Sequence, residues 1–565
     1  MNERNNEIKK EREDNKMTKY IFGIDLGTTY SCIAYVDETG RATVVNNKEG
    51  TNTTPSVVNF ADSSLVVVGQ IAKETAVIDP QNTISLVKTL MGKSNFAINY
   101  NGEDLSPEVV SSYILRKLAA DAGEILNTEV KDVVITCPAY FGTAERSATK
   151  NAGEIAGLNV IEIISEPTAA ALYYGCAKTE GEKTILVYDL GGGTFDVTVM
   201  RIDNGKIQVI CSDGNHQLGG KDWDTEVMKY LADQFCSETG FKGEFDEYAQ
   251  QDLRLKAEKA KQQLTAREEV PVMLDASGIR GRVSLSRDTF DELTQVLLNE
   301  SIEKTDAAIA VAESKGYKID EILLVGGSTK MPQVKKIITE KYGIEPKVLE
   351  PDEAVAKGAA IYALGAYEGK VDEWKEKIEA GEVDFSDEEV KEEAQKYQEA
   401  AAVSTVAIPG LHGQKMNEVV TVATTKSYAL KVLVDGNEKC CNMIIKNVKM
   451  ENGIISVTKR FGTAQDDQET AELVVYESDF DSEYYEVDED FNLGMASLEL
   501  PGNLPAGAPI EVTFALNNEG ILEVTGIDVT SGKEIHATMQ AAAGTTMSKE
   551  DVKAARAKSK NIVVE

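Results

Sequence analysis

Strand-like runs alternate with helical stretches from Tyr20 to about Tyr367, and from about Val419 the apolar period switches to two. Together they predict an α/β domain followed by an all-β sandwich or barrel. A third observation divides the α/β part. An Asp-Leu-Gly turn closed by threonine, flanked by strand-like segments, occurs at Asp25 and again at Asp189. A hairpin repeated this way implies two similar lobes facing a cleft.

In chain order, residues 1–17 are polar and charged and read as a solvated lead or tag, with Met17 a candidate start before the first strand. Residues 18–370 form the α/β domain. Ile185 to Tyr188 and Ile322 to Val325 are short apolar runs of strand type, and Leu253 to Leu264 is an Ala/Lys/Glu-rich stretch without Gly or Pro, hence helical. Residues 371–418 turn strongly acidic and then meet Pro409-Gly410 and Gly413; surface helices and a loop between two domains are expected, the plain alternative being a solvated acidic face. Residues 419–541 alternate apolar and polar positions between Asn-Glu-Gly and Ser-Gly turns, the pattern of antiparallel β. The acid-rich run from Glu477 to Asp490 reads as a loop. Residues 542–565 make a short tail, in which SKED at 548–551 caps one short helix.

Composition excludes several classes. Fifty-nine basic and 94 acidic side chains in 565 residues leave a net charge of −35, a field that repels phosphate backbones and anionic lipid. Neither a nucleic acid nor a membrane surface is expected as a partner. The chain has no apolar run long enough to span a bilayer, and its polar N-terminus is unlike a secretory signal. Seven scattered cysteines without a CxxC, and three histidines, argue against a zinc site and for a reducing, cytoplasmic setting.

The glycine turns suggest the chemistry. Gly27, and Gly191 to Gly193, leave backbone N–H groups free to wrap phosphate oxygens; Thr28, Thr29 and Thr194 add hydroxyl donors; an aspartate at the strand end can hold a metal ion through water. Either turn alone also fits a structural hairpin, but the pair in one context is the stronger signal. A third turn, Gly326-Gly327-Ser328-Thr329, lies between an apolar strand and a helix starting near Pro332. Free N–H groups and a helix dipole there suit a ribose and an α-phosphate, and a structural turn is the alternative.

The segments IDLGTTYSC, VVITCPAYFGTAERSATKNAGEIAGL, ISEPTAAALYYG, YDLGGGTFDVTV, LLVGGSTKMPQV and EPDEAVAKGAAIYA occur in family order over residues 18–368. They resemble the nucleotide-binding domain of the 70-kDa heat-shock protein chaperones (DnaK-like), of the actin/hexokinase superfamily. RFGTAQDDQETAELVVYE, NLGMASLELPGNLPAG and APIEVTFALNNEGILEVTGIDVTSGKE resemble that family's peptide-binding β-sandwich over about 455–540, whereas 419–450 matches poorly. The resemblance implies an actin/hexokinase-like ATPase domain of two lobes, a β-sandwich that binds extended polypeptide, and hydrolysis of ATP to ADP with Mg²⁺.

By this resemblance Asp25 and Asp189 position Mg²⁺ through water, and Thr28, Thr29 and the glycines cradle the β- and γ-phosphates. Lys88 falls on the family's catalytic lysine, Glu166 sits by metal and water, and Thr194 lies near the γ-phosphate. Asp196 is a second candidate for the metal or for K⁺. Pro138 and Arg146 match a relay that reports nucleotide state. Glu258, Lys261 and Thr265 share one helix face by their spacing; the family uses that face with Gly326, Gly327, Ser328, Lys330 and Asp352 around adenosine. Unfolded polypeptide clients, a J-domain co-chaperone and a nucleotide exchange factor are the partners so implied.

The chain also departs from the family. Gln262 and Lys330 stand where eukaryotic members flank adenine with arginines, and lysine does not stack as guanidinium does. The apolar linker is reduced to Val419-Val420-Thr421-Val422. Glu162 replaces an arginine that meets the J-domain partner. Arg460 replaces a small apolar residue of the central peptide pocket, where it must snorkel outward to spare the pocket. The helical lid is expected to be missing. An ATP-driven chaperone is the first expectation. A switch or scaffold holding one dedicated partner is the alternative, and a kinase of the same superfamily lacks its substrate-binding insertion.

Overall fold

A computed structural model describes residues 19–93, 98–100, 103–178, 181–203, 205–383, 390, 391, 393–395, 397, 416–518, 520–539 and 547–565. Two of the sheets repeat one local plan. In the first, Phe22–Asp25 is antiparallel to Tyr30–Val36 and parallel to Asp132–Cys137, with Asp25 opposite Thr136. In the second, Glu182–Leu190 is antiparallel to Phe195–Asp203 and parallel to Glu321–Val325, with Asp189 opposite Val325. Each hairpin turns through glycine just after its aspartate, so both carboxylates come to the same end of their sheets. The strands are near-continuous apolar runs, as in ILVYDL and DVVITC, because helices cover both faces of such sheets.

Between these two lobes run the helices Glu166–Lys178 and Ala354–Ala380, packed on each other within one core that takes residues from both sheets. Ala356, Ala359, Ala360 and Ala363 line the buried half of the second helix, where small side chains allow close approach. That helix continues across residue 371 to Ala380; 384–389 and 398–415 of the acidic stretch lie outside the described residues. A separate core under the second sheet gathers Trp223, Phe235 and Phe290.

The β-domain has two antiparallel sheets. One is ordered Tyr484–Glu486, Asn437–Ile444, Ser427–Val434, Thr470–Ser478, Asn492–Glu499; the other is Ile454–Gly462, Pro509–Asn517, Leu522–Asp528, Glu534–Met539. Leu430, Leu473 and Leu498 of the first share a core with Val512, Phe514 and Val524 of the second, which is face-to-face packing of alternating strands. The acid-rich run is not all loop. Tyr484–Glu486 pairs with Lys439 to Cys441, because Tyr485 turns inward against Cys440 and Tyr476 while its neighbours stay in water.

The β-domain rests on the α/β part. Val420–Thr421 does not join the sandwich; it pairs in parallel with Ile207 and Gln208 at the edge of the second lobe's sheet. Glu477 accepts hydrogen bonds from the Thr143 amide (3.1 Å), the Thr143 hydroxyl (3.2 Å) and the Tyr428 hydroxyl (2.8 Å). Asn518 Nδ2 donates to Glu162 at 2.8 Å, and the Ser212 amide donates to Asn447 Oδ1 at 3.0 Å. Glu162, singled out above for its charge, thus holds the β-domain, with Tyr362 OH as a second donor at 3.0 Å. Arg460 projects from the outer face of its sheet, largely exposed, and pairs with Glu511 Oε1 at 2.7 Å, so it leaves the interior of the sandwich apolar. No described helix is long and apolar enough to cross a membrane.

Candidate functional site

A cleft of about 550 Å³ opens between the two lobes. Its floor is made where the two hairpins meet. The Gly192 and Gly193 positions have no room for a side chain: a Cβ on Gly192 would lie 1.7 Å from Thr29 Oγ1, and one on Gly193 would lie 2.5 Å from Thr28 Cγ2. Only glycine lets the second turn come this close to the first. The turns are braced from below. Gly191 N–H donates to the Thr194 carbonyl (3.0 Å), Ser56 Oγ donates to the Gly27 carbonyl (2.7 Å), and Ser328 Oγ donates to the Gly191 carbonyl (2.9 Å), which ties the third glycine turn to the second.

Three carboxylates line this floor and a fourth lies behind it. Asp25 ends its strand and Asp189 comes one residue before the end of its own, Glu166 begins its helix, and Asp196 follows the second turn; Glu166, Asp189 and Asp196 are buried and Asp25 is half-buried at the cleft. Burial first, then the charge of Glu166, raises the acid constants of Asp25, to about 7, and of Asp189 and Asp196, both well above the usual range. Lys88 is the buried cation that answers them. It lies in a 3-10 turn, Val87–Leu90, only 4% exposed, and its Nζ meets Glu166 Oε1 at 2.5 Å. Burial pushes the Lys88 constant down, and the Glu166 and Asp25 charges outweigh this, so its net movement is upward and it stays protonated. One ammonium among four carboxylates leaves a surplus of negative charge, and one oxygen of Asp196 is buried without a hydrogen bond. The donor set is hard oxygen, as Mg²⁺ prefers. Among the described residues no three carboxylate, histidine or cysteine side chains are placed to ligate a metal ion directly.

The outer half of the cleft is lined by one helix face and the third turn. Glu258, Lys261 and Thr265, from the helix Glu247–Leu264, face Gly326, Gly327, Ser328, Lys330 and Asp352. Lys261 Nζ is held by the Gly220 carbonyl (2.7 Å) and Asp224 (2.8 Å), and Lys330 is ion-paired to Asp352. The structure brings together all the sequence-derived site residues except Gly193, which packs on Gly219, and Asp196, which sits beneath the floor.

Other contributors were not assigned as site residues from the sequence, although Gly220, Lys221 and Asp224 lie in the segment LGGKDWD, which also resembles the family. Lys73 Nζ bridges to Glu258 (2.6 Å) and, with Tyr30, joins the lobes across the cleft mouth. Gly220, Lys221 and Asp224 stand at the start of the helix Gly220–Thr239, whose first turn points its amides at the Gly191 and Gly192 carbonyls. The Gly219-Gly220 pair before an apolar helix was the signal available for that turn. Nothing local distinguishes Lys73 from a surface lysine.

Known proteins resemble the chain over nearly its whole length. The sequence model of a family described as "Hsp70 protein" matches residues 21–377 and 391–563. The "Chaperone protein DnaK" of Thermosipho africanus (strain TCF52B) is 38% identical over 528 residues, 91% of this chain and 79% of that protein. Those of Thermosipho melanesiensis and Thermotoga neapolitana are each 37% identical over 546 residues, covering 94% and 95% of this chain and 82% of each relative.

Proposed function

The chain belongs to the Hsp70 family and is an ATP-dependent molecular chaperone that hydrolyses ATP; from that premise we propose how its own residues divide the work. ATP lies in the cleft with its β- and γ-phosphates between the two glycine turns. Backbone N–H groups of Gly192 and Gly193 donate to phosphate oxygens, and the Thr28 and Thr29 hydroxyls add donors from the opposite turn; the Gly27 and Gly191 amides are instead bonded to Ser31 Oγ (3.2 Å) and the Thr194 carbonyl (3.0 Å) and hold the turns in shape. Asp25 and Asp189 hold the water shell of Mg²⁺, and Asp196 offers its free oxygen to that shell or to a K⁺ ion. When bound, Mg²⁺ neutralises charge on the phosphates and on the carboxylate floor.

Lys88 stays protonated and meets the charge that grows on the γ-phosphoryl group as its bond to the leaving oxygen loosens. Glu166 fixes the ammonium and accepts a hydrogen bond from the attacking water. Thr194 orients that water or the phosphoryl oxygens. Adenosine occupies the outer half: Glu258 and Lys261 bind the ribose, Thr265, Gly326, Gly327 and Ser328 flank base and sugar, and the Lys330–Asp352 pair closes the adenine side. The bridge of Lys73 and Tyr30 to Glu258 keeps the lobes shut on the nucleotide.

A single observation carries this reading: two glycine turns packed together with no room for a side chain, beside the carboxylates of Asp25, Glu166, Asp189 and Asp196 and one buried lysine. Calorimetric titration with ATP tests it. Binding that requires Mg²⁺ and weakens in Asp189→Asn supports the assignment, and Mg²⁺-independent binding of equal strength in that variant overturns it.

The β-domain is the client module in this reading. Extended polypeptide binds there through backbone hydrogen bonds and side-chain pockets, and Arg460 on the outer face leaves the pockets free. Residues 18–370 form the ATPase unit, 419–541 the client unit, and 371–418 the connection. J-domain and exchange-factor partners and a cytoplasmic setting follow from the family.

A further inference from the structure

The last described residues lie on the first lobe and not on the β-domain sheet whose final strand, Glu534–Met539, precedes them. Ser548 caps the helix Lys549–Ser559 in a capping box with Asp551. The helix packs on Thr143–Ile155 and buries Val552 and Ser559. Arg556 reaches the Gly157 carbonyl at 3.4 Å, and the Met547 carbonyl accepts from Asn151 Nδ2 at 3.4 Å. Val563–Val564 then joins, in parallel, the edge of the sheet formed by Leu65–Val68, Val57–Phe60 and Thr83–Ser85. The Val563 amide donates to the Ser64 carbonyl (2.8 Å), the Glu565 amide to the Val66 carbonyl (3.0 Å), and the Val68 amide to a backbone oxygen of Glu565 (2.7 Å). Ile562 and Val564 pack against the first lobe's core.

Arg116, on the helix Pro107–Leu126, anchors the junction. Its guanidinium donates to the Ser559 carbonyl (2.6 Å), the Ser559 hydroxyl (3.0 Å) and the Ile562 carbonyl (2.8 Å), which ties the helix end and the turn after it, itself closed by the Ile562 amide on the Ser559 carbonyl (3.1 Å), to the lobe.

We propose that residues 548–565 are an intramolecular strap, bound to the Leu65–Val68 edge by strand addition and anchored by Arg116, which limits how far the β-domain can leave the first lobe. The reach follows from chain length. Met539 ends the β-domain's final strand and Met547 lies on the lobe, a connection of eight residues that spans at most about 28 Å when fully extended. While the strap is bound, the β-domain therefore stays at high effective concentration beside the lobe. Full separation of the two requires the strap to release.

The test uses the full chain with ADP, its Arg116→Ala variant, and Val563→Pro, which removes the amide bonded to Ser64. Amide hydrogen exchange is read at Val68 and along 549–559, with Asp132–Cys137 as the folding control, and small-angle scattering gives the radius of gyration. Expected in both variants are exchange at least about tenfold faster at Val68 and along the helix, an unchanged control strand, and a radius of gyration larger by several ångströms. Should Arg116→Ala unfold the lobe, Val563→Pro decides, since its change lies on the strap alone. Unchanged exchange at Val68 in Val563→Pro overturns the proposal. So does faster exchange with identical scattering, which would mean the strap binds without restraining the β-domain.

Discussion

The cleft floor and the seam beneath the β-domain both draw carboxylates out of water, wholly or in part, and they stabilise them in opposite ways. In the cleft, Asp25, Glu166, Asp189 and Asp196 share one ammonium, Lys88, and an oxygen of Asp196 has no donor. In the seam, Glu477 is met by three neutral donors from Thr143 and Tyr428, and Glu145 accepts from the Gly142 amide at 3.1 Å. Burial, then the charge of Glu477, moves the Glu145 acid constant upward, so the seam too is not free of strain. The difference is where the compensation comes from. The seam is satisfied by the protein's own hydrogen bonds and closes without a ligand, whereas the cleft gathers more carboxylates than its one ammonium answers, an excess that protons or a bound cation relieve.

The sharpest way to break this contrast is Lys88→Ala. Removing the only buried ammonium beside Glu166 should cut single-turnover hydrolysis by about 10²-fold or more while ATP binding falls far less, because the contact acts mainly in the transition state. Hydrolysis at the parental rate would remove Lys88 from the mechanism.

Next in size, Glu477→Ala strips the shared acceptor from Thr143 and Tyr428. Leaving those donors buried without it should weaken β-domain docking by about 1–3 kcal/mol. Amide exchange at Thr143 reads this, with turnover in the cleft little changed; Glu477→Gln keeps an acceptor and should recover part of the protection. Equal protection in parent and Glu477→Ala would show that the seam does not hold the domains.

A pH series separates the two regions further. Asp25 binds its proton more tightly in the folded protein, its constant moving from 3.8 to about 7, so the metal-free fold loses stability as pH rises through that window. Mg²⁺ needs the ionised form. Its apparent affinity with ATP should therefore rise by about tenfold from pH 6 to pH 8, with proton release detectable by calorimetry in buffers of different ionisation enthalpy. A flat profile with no proton release would show that the floor is already ionised.

The smallest effect belongs to Arg460→Ala. This exposed pair with Glu511 should change thermal stability by less than about 1 kcal/mol and leave peptide binding, read by fluorescence anisotropy, nearly unaltered. A large loss of peptide affinity would place the guanidinium in the client site after all.

Much of the cleft was legible in the sequence because its signals are local. The Asp-Leu-Gly turns announce themselves through residue type and flanking strands, and Glu258, Lys261 and Thr265 share a face by helical spacing alone. The resemblance added Lys88 and Glu166, which no pattern singles out. Lys88 has the sequence of a surface residue, and its burial depends on the Glu166 helix, 78 residues away, arriving beside it. Lys73 and Tyr30 went unread for the same reason. In the β-domain, acid density from Glu477 to Asp490 hid a three-residue strand in which Tyr485 points inward while its neighbours Tyr484 and Glu486 are exposed.

By itself, then, the sequence determined the order of α/β and β parts, the twin hairpins and the residues able to wrap a phosphate, since periodicity and glycine geometry act within a few residues. Only the tertiary structure decided that Glu162 and Glu477 face across the seam, that Val420–Thr421 extends the second lobe's sheet, and that Val563–Val564 finds the Leu65–Val68 edge. A short apolar strand or a lone carboxylate has the same local sequence whether it is solvated or paired. Desolvation and partner geometry choose between these states, and both exist only once segments hundreds of residues apart have packed together.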